Sequence, residues 1–317
     1  MRAVFLDFGT VSGGDLDTGS LEQALPGIVF HEQTPQAEVA ARIAGFEVVL
    51  ANKSVVDRAT IAANPQLRLI ALTATGVDNV DLGAARAAGI AVCNLRDYCT
   101  PSVVQHVFAM LLALTHRLAD YGALVQSGGW SQAGRFSVFP YPIRELSGRV
   151  FGIVGLGALG RATARVAESF GMKVEIANRP DGGRVASRSD LDDLLPRLDV
   201  LSLHCPLTDA TRGLVSRARL ARMKPDAVLI NTARGALVDT AALAEALKAG
   251  RLGGAGIDVL EREPPPADHP LLAPGIPNLI VTPHVAWAAR ESRQRCLDEL
   301  AANVVAFRSG PRRNRVD

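Results

Sequence analysis

Arg149-Val150-Phe151-Gly152-Ile153-Val154-Gly155-Leu156-Gly157-Ala158-Leu159-Gly160-Arg161-Ala162-Thr163-Ala164 runs apolar, partly β-branched residues straight into three spaced glycines and then into helix formers. That order predicts a strand, a tight turn and a helix start. Glycines at 155, 157 and 160 let the backbone turn sharply, admit a pyrophosphate close to the main chain and pack helix on strand. The helix start offers N–H groups and partial positive charge to phosphate. Such a triplet alone is weak, and an ordinary βα turn can carry it. With a strand before and a helix after, it reads as a dinucleotide-binding turn. It sits near mid-chain, so about the first third must build something else.

The bulk properties narrow the classes. A length of 317 residues suits two domains, and 48% apolar with 21% charged residues is ordinary for a globular chain. A net charge of +2 gives no basic field for nucleic acid. The basic run from Arg308 to Arg315 reads as a solvated tail. Cys93, Cys99, Cys205 and Cys296 lie far apart and form no Cys-x-x-Cys pair. They read as reduced thiols or small core residues, with neither disulfide framework nor metal site. The N-terminus reads as a strand rather than a signal peptide. The most apolar helix, Val103 to Leu114, contains Gln105 and His106 and falls short of a membrane span. The expectation is a soluble, cytoplasmic protein with neither membrane nor nucleic acid as partner.

In chain order, strands are expected at Ala3 to Phe8, Val29 to His31, Val48 to Leu50, Leu69 to Leu72 and Ile90 to Cys93. Thr34-Pro35 opens a helix with a capping threonine. Strands alternating with helices imply a parallel sheet covered on both faces, with ligands beyond the C-terminal strand ends. That places Asn52, Lys53, Thr75, Gly76 and Val77 on a ligand edge. Thr100-Pro101-Ser102 caps a long helix reaching about Arg117. Ser127 to Pro142 is irregular and aromatic, a surface loop or, preferred here, an arm against a second subunit. The second sheet takes strands at 173–177, 200–204, 227–231, 256–259 and 279–281. A last helix, from about Glu291 to Ser309, returns to the first domain. The fold expected is α/β, two doubly wound parallel-sheet domains, a Rossmann cofactor domain inserted in a smaller flavodoxin-like one. The boundaries are 1–98 plus 288–317 for the substrate domain and 99–287 for the cofactor domain, with a cleft between them.

Three polar residues follow strands of the cofactor domain: Arg234, Glu263 and His284. Reduction of a 2-keto acid needs a cation for the carboxylate, a proton donor for the nascent alkoxide and a group to hold that donor. A guanidinium forks onto a carboxylate. Histidine is the natural acid/base near neutral pH. A carboxylate beside it orients the ring. Each residue alone is ordinary: a lone Arg after a strand is more often a surface ion-pair partner. His204 reads as a strand residue near the cofactor, His106 and His116 as helix residues, His31 and His269 as loop residues.

With these segments in view, the chain resembles the D-isomer-specific 2-hydroxyacid dehydrogenases over essentially its whole length. The resemblance rests on residues 73–82, 152–160, 204–208, Asn231-Thr232-Ala233-Arg234-Gly235, 258–264 and Thr282-Pro283-His284-Val285-Ala286-Trp287. Within the family, 51–53, 92–94, 100–107 and 264–270 look most like glycerate dehydrogenase, that is, hydroxypyruvate reductase. The resemblance implies that Arg234 holds the substrate carboxylate and carbonyl, His284 protonates the carbonyl oxygen as hydride arrives, and Glu263 pairs with His284. Backbone N–H groups of Gly76 and Val77 would grip the carboxylate, beside Asn52, Lys53 and Thr75. Cofactor contacts would come from Gly155, Gly157, Ala158, Leu159, Gly160, Asn178, Arg179, Cys205, Pro206, Thr211, Thr232, Ala233, Asp258, His284 and Ala286. A homodimer is implied, built on the helix from Pro101 and the Trp130 arm. The implied reaction is NAD(P)H-dependent reduction of hydroxypyruvate or glyoxylate to D-glycerate or glycolate. Alternatives are a dehydrogenase for another small 2-keto acid and a dinucleotide-sensing corepressor that binds partner proteins. One departure bears on the cofactor. Where NAD-preferring relatives carry an acidic residue for the ribose hydroxyls, this chain has Asn178 followed by Arg179. Charge favours NADP(H) over NAD(H), although Asp181 is close by and Arg179 could equally stack on adenine.

Overall fold

The computed structural model describes residues 1–182 and 185–317, and the chain divides into two compact units. The first comprises Met1–Cys99 and Trp287–Asp317, the second Thr100–Ala286.

In the first unit β1 (Ala3–Phe5), β2 (Val29–Phe30), β3 (Val48–Ala51), β4 (Leu69–Leu72) and β5 (Ala91–Cys93) pair in parallel, in the order β2-β1-β3-β4-β5. This is the flavodoxin-like order. Successive side chains point to opposite faces, and each face has its own core. Phe5, Val48, Leu50, Leu69 and Ala71 pack with Leu21 and with Cys296, Leu297, Leu300 and Val304 of the helix Arg290–Ser309. Val4, Val49, Ala51, Ile70 and Leu72 pack on the other side with Val39, Ile43, Ile61 and Ala85. Each fully buried leucine among them contributes roughly 1.5–3 kcal/mol. The C-terminal segment covers the β5 edge, Val316 N–H donating to the Val92 carbonyl at 2.9 Å.

Below the sheet's C-terminal edge, Asp7 is 4% exposed and accepts from the N–H groups of Asn52, Lys53 and Ser54 at 2.8, 2.6 and 2.7 Å. One buried carboxylate therefore fixes the loop that follows β3.

In the second unit β6 (Val150–Val154), β7 (Lys173–Ala177), β8 (Val200–Leu203), β9 (Val228–Asn231), β10 (Gly254–Ile257) and β11 (Leu279–Val281) are also all parallel. Their order is β11-β10-β9-β8-β6-β7. The order reverses between β6 and β8, which opens a crevice beyond the end of β6, where Gly155 begins. The helix Thr100–Thr115 packs on β9, β10 and β11, and its Phe108 stacks on Phe151 at 6.0 Å. Among the described residues no single helix is long and apolar enough to cross a membrane.

Several local expectations are corrected. Thr34 caps no helix: its hydroxyl donates to the Leu6 carbonyl, and a 3-10 turn, Gln36–Glu38, precedes the helix Val39–Ile43. Phe8 begins a 3-10 turn instead of extending β1. Thr100 lies inside its helix, which stops at Thr115 because Arg117 adopts φ 53°. The segment after Ser127 is not wholly irregular, since Gly129–Ala133 is helical. Phe136 and Phe139 beyond it are 95% and 85% exposed.

Candidate active site

The glycine turn is shaped by close approach. Gly155 has φ 99°, and a Cβ there would lie 2.6 Å from the Cys205 nitrogen and the His204 carbonyl carbon. A Cβ at Gly160 would come within 2.0 Å of the Gly155 carbonyl oxygen. Gly157 has open space where its Cβ would be, and it precedes the 12-residue helix Ala158–Ser169 with no side-chain cap. The turn thus leaves bare main chain and a helix N-terminus at the crevice. Two polar atoms at neighbouring strand ends, Thr232 Oγ1 and His204 Nδ1, are buried without a hydrogen-bond partner among the described residues. Bare backbone, a helix start and polar atoms lacking protein partners fit a dinucleotide.

His204 donates or accepts at Ser202 Oγ through Nε2, 2.9 Å away. Burial pushes it down to about 4, so the ring is neutral at physiological pH. Cys205 is buried, which pushes its thiol up to about 11. Thr211 turns inward: its hydroxyl donates to the Pro206 carbonyl at 2.8 Å and accepts from Thr208 N–H at 2.8 Å, closing its own loop. After β7, the Asn178 amide is likewise spent on its loop, accepting from Val185 N–H and donating to the Arg188 carbonyl. Arg179 pairs with Asp181 at 2.8 Å, and Asp181 also accepts from the Thr208 hydroxyl.

Beyond β9, Asn231 shapes the next loop. Its Oδ1 accepts from Ala233 N–H at 3.0 Å, and its Nδ2 donates to the Arg234 carbonyl at 2.9 Å. This local turn presents a half-buried Arg234. At Gly235 a Cβ would lie 2.0 Å from the Leu260 carbonyl carbon. The Arg234 loop is therefore pressed directly onto the segment leading to Glu263.

Glu263 uses its two oxygens differently. Oε1 accepts from Leu260 N–H at 2.9 Å, and Oε2 lies 2.6 Å from His284 Nδ1. Its loop is braced by Glu261, which accepts from the Thr240 hydroxyl at 2.5 Å and from His269 Nε2 at 3.0 Å. His269 is 7% exposed and takes the Leu271 N–H on Nδ1. It is a loop residue, as the sequence suggests, and one built in as a brace. His284 follows β11 in left-handed backbone, φ 56°, with its N–H on the Asp258 carbonyl at 2.8 Å. Ala286 is buried beside it.

In the first unit, Asn52 is 5% exposed and its amide donates to Thr10 Oγ1, whereas Lys53 and Thr75 are exposed and Gly76 and Val77 half-buried. Asp7, the bracing bonds of His269 and the environment of Asp258 carry no motif in the sequence. A carboxylate directly ending an apolar strand, as in Leu6-Asp7, was the one available signal.

A doubly wound sheet with this turn at its reversal point, and a carboxylate–imidazole pair beyond later strands, defines a dinucleotide-binding α/β protein. Residues 108–286 match the family described as "D-isomer specific 2-hydroxyacid dehydrogenase, NAD binding domain". The chain is 44% identical over 285 residues to the glycerate dehydrogenase of Methylorubrum extorquens, covering 90% of this chain and 89% of that one. It is 36% identical to the hydroxypyruvate reductase of Blautia hydrogenotrophica, covering 98% of each. Among solved structures, the NADPH-dependent glyoxylate/hydroxypyruvate reductase of Sinorhizobium meliloti, in complex with NADP and malonate, superposes with a TM-score of 0.81. That pair shares 30% identity and covers 99% of this chain and 96% of the other. The chain belongs to the D-isomer-specific 2-hydroxyacid dehydrogenase family.

Proposed function

We propose that the protein reduces a small 2-keto acid, hydroxypyruvate or glyoxylate, to D-glycerate or glycolate. The observation that carries this reading is the 2.6 Å Glu263–His284 pair on a loop braced against that of Arg234. Relatives named for glycerate, hydroxypyruvate and glyoxylate support the choice of substrate. Arg234 forks onto the substrate carboxylate and carbonyl. His284 commits Nδ1 to Glu263 and gives the proton of Nε2 to the carbonyl oxygen. Glu263 stabilises the imidazolium before transfer and keeps the ring oriented afterwards. Residues 155–160, with Thr232 beside them, would hold a reduced dinucleotide, whose chemistry there would be hydride donation.

NADP(H) is the cofactor favoured by charge, since Asn178 stands where an acidic residue would repel a 2′-phosphate and Arg179 after it attracts one. Asp181 holds that guanidinium and offsets it. Asp181→Ala is therefore expected to raise the NADPH-to-NADH ratio of kcat/KM about tenfold, the equivalent of roughly 1.4 kcal/mol. An unchanged ratio would remove Arg179 from cofactor choice. The parent assay follows nicotinamide absorbance with hydroxypyruvate and glyoxylate against each cofactor. Silence with every pair, together with capture of a partner protein, would favour the corepressor alternative.

The exposed Phe136 and Phe139 suit burial in a second copy of the chain. Light scattering should report twice the chain mass; a monomer would refute the homodimer.

A further inference from the structure

We propose that His106 is a positioning residue for His284, acting through Thr282 and Asp258. The inference rests on the acid/base reading of His284 given above. His284 sits within a short arch, residues 282–286, in the left-handed backbone region that is unfavourable for a residue bearing a Cβ. Such a conformation persists only where its surroundings over-determine it.

Asp258, 1% exposed, supplies most of that hold. Its carbonyl takes the His284 N–H at 2.8 Å. Its carboxylate takes the N–H groups of Val285 and Ala286, each at 2.9 Å, and the Thr282 hydroxyl at 2.5 Å. The Thr282 hydroxyl has one proton, and Asp258 receives it. At the 3.0 Å contact with His106 Nε2, Thr282 Oγ1 must therefore accept, and His106 must carry a proton on Nε2. His106 Nε2 stands 3.6 Å from Asp258 Oδ1, near that carboxylate but not bonded to it. One helical turn earlier, Ser102 Oγ donates to the Ala286 carbonyl at 2.6 Å. Positions 102 and 106 share one face of the helix Thr100–Thr115, and they hold the two ends of the arch. His284 lies between the two anchors.

Removing the Nε2–H donor frees the Thr282 hydroxyl to rotate away from Asp258 and loosens the arch under the imidazole. Small misplacements of a reacting group are costly in rate. His106→Leu is expected to lower kcat about tenfold while KM for the keto acid stays within twofold. His106→Gln places an amide N–H near the same oxygen and should restore kcat to within threefold of the parent. A readout independent of turnover is the proton NMR signal of His284 Nδ1–H bonded to Glu263, taken on the cofactor-free protein. It should be lost or broadened in the Leu variant and kept in the Gln variant. Should His106→Leu not fold, Thr282→Val against Thr282→Ser makes the same comparison. A kcat within twofold for the Leu variant, or equal losses for Leu and Gln, would overturn the proposal. Full turnover in His284→Ala would instead remove the acid/base reading, and the Nδ1 signal would still decide whether His106 positions the ring.

Discussion

His284→Ala is expected to lower kcat by roughly 10²–10⁴-fold, the usual worth of a positioned general acid/base. KM should move little, because the substrate carboxylate is assigned to Arg234 and not to the imidazole. The expectation follows from how the ring is held. Nδ1 faces Glu263 at 2.6 Å, and the backbone N–H of the same residue is fixed on Asp258. A ring fixed at one nitrogen and at its own main chain delivers a proton from the other nitrogen along one direction. Steady-state kinetics at saturating cofactor decide the matter. A loss of less than about tenfold would fall short of the range for acid/base catalysis and would reduce His284 to a binding residue.

Arg234→Ala should strike kcat/KM rather than kcat alone, by roughly 10²–10³-fold, as expected for losing a forked, charge-assisted contact worth about 3–4 kcal/mol. Arg234→Lys restores the charge but not the planar fork and should recover only part of the loss. The local structure makes the experiment clean. Asn231 builds the turn through the backbone of 233 and 234, so removing the guanidinium forfeits its own 2.8 Å bond to the Ala233 carbonyl but leaves both Asn231 bonds in place. A decrease of only a few fold would sink the carboxylate clamp.

Much of the architecture was legible because parallel strands buried on both faces read as continuous apolar runs, such as Val48-Val49-Leu50 and Val228-Leu229-Ile230. Segments whose structure depends on distant partners were not. Thr34 looked like a helix cap, yet its hydroxyl serves Leu6, 28 residues away. Nothing near Thr211 in sequence announced that its side chain would be spent within its own loop. At the site, residue types and their places after strands could be read, since turn chemistry is local. The supporting shell could not: His106 meets Thr282 across 176 residues, and Asp7 meets residue 52 across 45. The bracing bond of His269 could not be read because its partner, Glu261, depends on the path of a loop and not on any periodic pattern.

The helix Arg290–Ser309 belongs to the first unit although it is encoded after the second. On a ribosome, the first 99 residues emerge with one face of their sheet lacking Cys296, Leu297, Leu300 and Val304. At about 5–20 residues per second, roughly ten to forty seconds pass before that cover is made. Meanwhile the inserted unit can fold as a continuous segment. The order of synthesis thus leaves one apolar face of the sheet in residues 1–99 uncovered until the inserted unit has been made, and truncation just before residue 290 would strip the cover from a sheet encoded far upstream.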